Sequence, residues 1–282
     1  MKVAVTGATG FVGRHVIPAL LTQGVEVVAL ARRPELVFTD REKLSVVSLD
    51  LCDTDNPFAK MGEPDILLHL AWGNLPNYKS STHLEFELPR QVAFLDNCIK
   101  GGLSRLVVSG TCLEYGMQSG CLKEDFATAP VTGYGQAKDR LRLHLEAKAM
   151  QAEVQLVWAR LFYLYGAGQA TSSLYSQLAA AIKAEEKSFP MSPGDQERDF
   201  LSVEKAAEKI CRLALANPNA GIVNICCGKP KKVSVLVKDW LENWVADIKL
   251  DTGIYAYPDY EPHSYWGSTE KLDALLRGPG HA

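Results

Sequence analysis

A short run of branched aliphatics, Val3 to Val5, breaks into Thr6-Gly7-Ala8-Thr9-Gly10-Phe11-Val12-Gly13 and then into a helical pattern from Phe11 to Leu21. Glycines at 7, 10 and 13 permit a tight turn, close approach of backbone to a ligand, and close packing of helix on strand. The helix start adds unpaired N–H groups and a partial positive charge, which suit phosphate. A glycine loop between strand and helix therefore points to the pyrophosphate of a dinucleotide, against the plainer reading of a structural turn. Gly7, Thr9, Gly10, Phe11, Val12 and Gly13 are the candidate contacts.

Such a loop needs a parallel sheet beneath it, and the next part of the sequence supplies one. Aliphatic runs recur at Val25 to Leu30, Leu44 to Leu49, Ile66 to Leu70, Leu103 to Val108 and Val154 to Trp158. Helix-like stretches at Phe86 to Ile99 and Gln136 to Met150 lie between the later runs. Buried strands separated by helices, joined by right-handed crossovers, predict an α/β fold with a doubly wound parallel sheet of the Rossmann kind. Beyond about residue 160 the alternation loosens. The expected division is a dinucleotide-binding core over 1–160 and a small, mainly substrate-binding C-terminal lobe over 161–282, with segments returning to the core. A chain of 282 residues, 47% of them hydrophobic, is long enough to bury that core.

Charge and cysteine usage narrow the partners. A formal net charge of -3 with no basic block argues for neither nucleic acid nor an anionic membrane surface. No window reaches the roughly 18 apolar residues of a spanning helix, and the apolar start is cut at Gly7, too early for a signal peptide. The 7 cysteines have no metal-ligand spacing, and their odd number fits a disulfide framework poorly. Reduced thiols in a cytoplasmic protein, with no metal, are the expectation.

Two places carry chemistry. In Tyr134-Gly135-Gln136-Ala137-Lys138, at a helix start, the tyrosine and lysine share one face. An ammonium there is expected to stabilise the phenolate and lower the tyrosine pKa toward working pH, so that Tyr134 exchanges a proton with a carbonyl oxygen. At the end of the second strand, Ala31 stands where an acid would accept the ribose hydroxyls of NAD, and Arg32 and Arg33 follow. The arginines are either solvated loop residues or partners of a 2′-phosphate. The reading favours NADP(H), with NAD(H) as the alternative.

The string from Thr6 to Gly13, with its Gly-x-x-Gly-x-x-Gly spacing, resembles the extended short-chain dehydrogenase/reductases, the NAD-dependent epimerase/dehydratase family. The resemblance covers nearly the whole chain, and it thins toward the C-terminus. It implies that Asp50 and Leu51 meet the adenine end of the cofactor and that Leu70, Ala71 and Ser109 stand beside it. Val107-Val108-Ser109-Gly110-Thr111-Cys112-Leu113-Glu114-Tyr115-Gly116 resembles the family's Ser-Ser-Ser/Thr-x-x-x-Tyr-Gly segment. Its register puts Thr111 beside Tyr134 and Lys138 as the catalytic hydroxyl, with Ser109 the nearest rival and Gly110 departing from the usual serine. Arg160 to Gln169 resembles the Arg-x-x-Asn-x-Tyr-Gly-Pro-Gly segment, with Tyr163 in place of the asparagine and Phe162 either near the nicotinamide or in the core. Arg198-Asp199-Phe200 resembles a segment whose arginine holds substrate phosphates. Trp72, Thr111, Cys112, Tyr163 and Arg198 are thus the candidate substrate contacts. Glu87 stands where many members have asparagine.

The activity this resemblance implies is NADP(H)-dependent reduction at C4 of a nucleotide-linked, dTDP-type 4-keto-6-deoxyhexose. A nucleotide-sugar 4-epimerase with tightly bound NAD is the alternative, and a non-catalytic NADP-binding sensor a third reading. The family also implies a homodimer formed through the Phe86 to Ile99 and Tyr134 to Met150 helices.

Overall fold

The computed structural model describes residues 1–36, 41–52, 55–75, 77–216 and 219–277. The first half runs β1 (Lys2–Thr6), α1 (Gly13–Thr22), β2 (Glu26–Ala31), β3 (Leu44–Ser48), α2 (Pro57–Lys60), β4 (Ile66–His69), α3 (Leu88–Lys100), β5 (Arg105–Thr111), β6 (Gly120–Leu122), α4 (Gly133–Ala152) and β7 (Gln155–Leu161). The second half runs β8 (Tyr163–Tyr165), α5 (Leu174–Lys183), β9 (Ser188–Pro190), β10 (Glu197–Ser202), α6 (Val203–Ala216), β11 (Gly221–Ile225), β12 (Pro230–Lys232), α7 (Val233–Trp244), β13 (Lys249–Asp251), β14 (Tyr265–Gly267) and α8 (Glu270–Arg277).

Seven strands form one sheet in the order β11-β7-β5-β4-β1-β2-β3, and every pairing in it is parallel. The doubly wound Rossmann sheet expected from the aliphatic runs is therefore present. Its two cores arise from the strand period of two. Val3 and Val5 pack on one face with Leu20 of α1 and Ile210 of α6. Ala4 and Val28 face the other side, against Phe94 and Leu95 of α3 and Leu141 and Leu145 of α4. The strand order reverses between β1 and β4, and ligands of open α/β sheets bind at the carboxyl ends of the strands at such a point. The glycine loop and the ends of β4 and β5 all meet there.

The lobe after β7 has its own apolar cluster, in which Leu178 of α5 meets Leu236 and Trp240 of α7. Strands β8, β10 and β12 form a small sheet beside it. The chain also returns to the core: β11 extends the large sheet, and α6 and α8 cover its first face. Asp199 of β10, with no exposed surface, ties these parts together. Its carboxylate accepts the backbone N–H of Cys227 at 2.6 Å, Gly228 at 2.8 Å and Gly267 at 3.3 Å. Asp199→Ala would leave these donors unpaired in the interior, at a cost of about 3 kcal/mol. Chemical denaturation checks it: Asp199→Asn should recover part of the loss, and an Ala variant as stable as the parent would contradict the anchoring role.

Candidate active site

The cleft at the strand reversal holds about 350 Å³. Gly7, Thr9, Gly10, Phe11, Val12 and Gly13 form one wall, Arg32, Asp50 and Leu51 one end, and Leu70, Ala71 and Trp72 the side toward β4. Gly7 has φ +68, and a Cβ at Gly13 would stand 2.1 Å from the Gly7 carbonyl oxygen. Any side chain at either position would push the loop out of its turn. Arg14 braces the loop, its guanidinium donating to the carbonyls of Thr9 and Gly10.

Arg33 is exposed and is not among the cleft's lining residues, whereas Arg32 is. The Asp50 carboxyl lies below the usual carboxylate range, chiefly because the Cys52 N–H donates to it, with the fields of Arg90 and Arg32 in the same direction. Arg90 was not singled out by its sequence. It lines the cleft, places Nη2 on Glu87 at 2.6 Å, and keeps a buried Nε without a partner among the described residues. A glycine cradle, Asp50, and an unpaired buried donor on the wall fit a dinucleotide.

The candidate reactive side chains stand beyond Trp72. Tyr134 and Lys138 lie on the first turns of α4, whose start is fixed by the Thr132 hydroxyl accepting from Gly135 N at 3.0 Å. Lys138 is 1% exposed. Its Nζ donates to the Ser109 carbonyl at 2.7 Å and lies 4.1 Å from the Trp72 ring and 5.9 Å from that of Tyr134. Thr111 ends β5 with its side chain close enough to the Tyr134 phenol to lower its pKa. Ser109 turns its hydroxyl to the His69 carbonyl, 3.4 Å away, so its carbonyl alone meets the lysine.

Thr111 is positioned by a buried acid. Glu114 accepts from Thr111 N at 2.8 Å, Trp158 Nε1 at 3.0 Å and Arg160 Nε at 2.7 Å. The same packing explains Gly110, where a Cβ would stand 2.2 Å from Trp158 Nε1 and 2.7 Å from Glu114 Oε1. At the end of β4, His69 is buried and structural. Gln91 Oε1 accepts from its Nε2 at 2.6 Å, leaving Nδ1 to accept from the Thr6 hydroxyl at 3.0 Å. Burial, with the Lys138 charge adding to it, pulls its pKa down to about 3.

The charge states differ from the expectation that Lys138 lowers the Tyr134 pKa. Burial holds the Tyr134 phenol well above its usual value, with the Thr111 hydrogen bond pulling the other way. The ammonium faces Trp72 and the Ser109 carbonyl instead of the phenol oxygen. Burial also draws Lys138 down to about 7, against the fields of Glu114 and Glu87.

The remaining candidates divide. Cys112 is buried within 3.9 Å of the Tyr265 hydroxyl, and its thiol is pushed up to about 12 by burial. Tyr163 and Tyr265 share a hydrogen bond of 2.7 Å. Phe162 is 4% exposed and packs with Tyr115 and Tyr265, away from the cleft wall. Arg198 is buried, with Nε and Nη2 on Glu261 at 3.2 and 3.0 Å and Nη1 on the carbonyls of Glu197 and His263. A substrate phosphate there would compete with Glu261, an acid in a loop that the sequence did not mark.

A dinucleotide cleft beside a tyrosine–lysine pair is the arrangement of an NAD(P)-dependent oxidoreductase of the short-chain dehydrogenase type. The chain belongs to the NAD dependent epimerase/dehydratase family, whose model matches residues 3–226. Among its relatives is the dTDP-6-deoxy-L-talose 4-dehydrogenase (NAD(+)) of Aggregatibacter actinomycetemcomitans, 26% identical over 271 residues that cover 95% of this chain and 100% of the relative. The dTDP-6-deoxy-L-talose 4-dehydrogenase (NAD(P)(+)) of Kitasatospora kifunensis is 28% identical, covering 98% of this chain and 88% of its own. Among solved structures, MoeE5 in complex with UDP-glucuronic acid and NAD matches with a TM-score of 0.83 and 26% identity, over 100% of this chain and 94% of that one. Among the described residues no helix is long and apolar enough to cross a membrane.

If the Lys138 ammonium supports catalysis, kcat/KM should fall on the alkaline side with a midpoint of about 7 in the free protein, because the proton is lost as pH rises through that value. The Glu87 charge raises this midpoint, so Glu87→Gln should move it to lower pH. An unmoved limb would assign it to another group.

Proposed function

We propose that the protein is an NADP(H)-dependent reductase of the C4 ketone in a nucleotide-linked, dTDP-type 4-keto-6-deoxyhexose. One observation carries the reading. Tyr134 is buried, its phenol held above its usual pKa, with Thr111 beside it, the Lys138 Nζ 5.9 Å from its ring and Trp72 of the cleft wall 5.8 Å from it. A phenol kept protonated across the working range suits the delivery of a proton to a carbonyl oxygen. The full-length likeness to two dTDP-6-deoxy-L-talose 4-dehydrogenases supports the sugar and the carbon.

A reduced nicotinamide held in this cleft would supply hydride for the C4 carbon. Tyr134 gives its phenolic proton to the C4 oxygen, so that ketone, hydride and proton sum to the alcohol. Thr111 holds that oxygen within reach of Tyr134. The Lys138 ammonium steadies the phenolate left behind until a proton returns from solvent. Gly7, Gly10 and Gly13, on the cleft wall, would cradle the pyrophosphate, Asp50 and Leu51 would meet the adenine, and Arg32 would pair with a 2′-phosphate, with Ala31 offering no competing acid.

Dehydration is disfavoured by the residues on the C-terminal side of Thr111. Cys112 is a buried thiol, and Glu114 is turned inward onto Trp158 and Arg160, so neither offers a free carboxyl beside the hydroxyl. A homodimer through α3 and α4 is supported by Phe86, just before α3, and by Leu143 and Met150 on α4, all exposed. The cysteines at 52, 98, 112, 121, 211, 226 and 227 are all free thiols, in keeping with a cytoplasmic setting.

Purified protein mixed with NADPH and dTDP-4-keto-6-deoxyglucose, with and without prior 3,5-epimerisation, should oxidise the cofactor. Tyr134→Phe should slow this by about 10²–10⁴-fold, and Arg32→Ala should raise the KM for NADPH about tenfold or more while sparing NADH. No oxidation, with NAD found bound to the purified protein, would replace the reductase reading by a 4-epimerase.

A further inference from the structure

Trp72 lines the cofactor cleft, yet its ring also covers the Lys138 ammonium at 4.1 Å and meets the Tyr134 ring edge-on at 5.8 Å. The indole is thus a partition, with the cleft on one side and the reactive pair on the other. Lys138 has three N–H donors, and among the described residues its one hydrogen bond goes to the Ser109 carbonyl. The indole face stands in for the acceptors its other donors lack.

The ring is latched. Trp72 Nε1 donates to His83 Nδ1 at 3.1 Å, and the two rings stack at 6.3 Å. His83 Nε2 lies 3.0 Å from the carbonyl oxygen of Asn77. A carbonyl only accepts, so Nε2 carries the proton and Nδ1 is left to receive the indole N–H.

The backbone around the ring is pinned on both sides. Ala71 N donates to the Thr6 hydroxyl at 3.2 Å, and the Ala71 carbonyl accepts from Gln91 Nε2 at 3.2 Å. Gly73 N donates to Glu87 Oε2 at 3.1 Å, and a Cβ at Gly73 would stand 2.4 Å from Glu87 Oε1. The strand end therefore has no slack, and the freedom left to Trp72 is rotation about its side-chain bonds.

We propose that Trp72 is a positioning residue that gates Tyr134 and Lys138 from the cofactor: latched by His83 it holds Lys138 against Ser109, and it turns aside to admit the nicotinamide end of the dinucleotide. Only the hydrogen bond to His83 and the ring's contacts with Lys138 and Tyr134 must break. The inference rests on the dinucleotide reading of the cleft and is independent of which sugar is reduced.

Stopped-flow mixing of the cofactor-free protein with NADPH, and in parallel with NADH, tests it through nicotinamide fluorescence with no sugar present. The wild type should show a second-order phase followed by a phase whose rate saturates with cofactor, the turning of the ring. In Trp72→Leu the saturating phase should vanish, and the apparent Kd should stay equal or tighten, because no closed fraction remains to be opened. His83→Phe, which keeps a buried ring but removes the latch, should speed that phase about fivefold, the loss of one neutral hydrogen bond. It also carries the test if Trp72→Leu does not fold. A single second-order phase in the wild type, or an unchanged saturating phase in the variants, would overturn the gate while leaving the cleft assigned. Failure of the wild type to bind either cofactor would remove the cleft assignment, and the gate with it.

Discussion

The carboxylate of Glu114 is sealed under the end of β5, and the geometry of the Thr111 backbone depends on it. A buried charge of this kind is tolerable only when it is paired and hydrogen-bonded. Here Arg160 supplies the countercharge at 2.7 Å, Arg142 approaches to 4.0 Å, and the indole N–H of Trp158 and the backbone N–H of Thr111 fill the remaining positions. Burial pushes the Glu114 carboxyl up and the Arg160 guanidinium holds it down. The Thr111 N–H is one of the donors this cluster consumes, so its backbone, and with it the hydroxyl that meets Tyr134, is fixed by the core.

The same acid helps set the charge of the reacting pair. Lys138 and Tyr134 are both buried, and burial disfavours the charged form of each. It lowers the ammonium pKa and raises that of the phenol. Glu114 and Glu87 work against the first shift by favouring the ammonium. Tyr134 is thus a neutral acid beside a cation close to losing its proton. Trp72 completes this arrangement, since a ring face against an ammonium offsets part of its lost solvation.

Much of this was legible in the sequence because it rests on local rules. The glycine loop reads directly, since Gly7 at positive φ and the 2.1 Å approach at Gly13 leave no room for other residues. Six of the seven strands read from short aliphatic runs, most of them buried, although the edge strand β3 is only partly so and β11 lies beyond the runs. The Tyr134–Lys138 pair reads from helical spacing, and Thr111 from its register after β5. What did not read depends on distant contacts. Gly110 looked like a departure until β7 placed Trp158 and Arg160 against it. Glu114 and Arg160 are opposite charges at the ends of two adjacent buried strands, a complementarity visible only once β5 and β7 are known to pair. Arg198 reads as a candidate phosphate ligand from its segment, whereas its partner Glu261 lies in a loop without periodicity. Local spacing places the Tyr134–Lys138 pair but not its solvation, so the direction of the Tyr134 shift was missed.

In the proposed reaction an exchangeable reduced nicotinamide would be the source of the hydrogen at C4 of the sugar, with Tyr134 supplying the proton. NADPH deuterated at C4 of the nicotinamide, incubated with the 4-keto sugar nucleotide, tests this directly when the product is read by NMR. The account predicts deuterium at C4 of the sugar and stoichiometric oxidation of the added cofactor, both abolished in Tyr134→Phe. A sugar altered at C4 without deuterium, and with the added cofactor unspent, would contradict it.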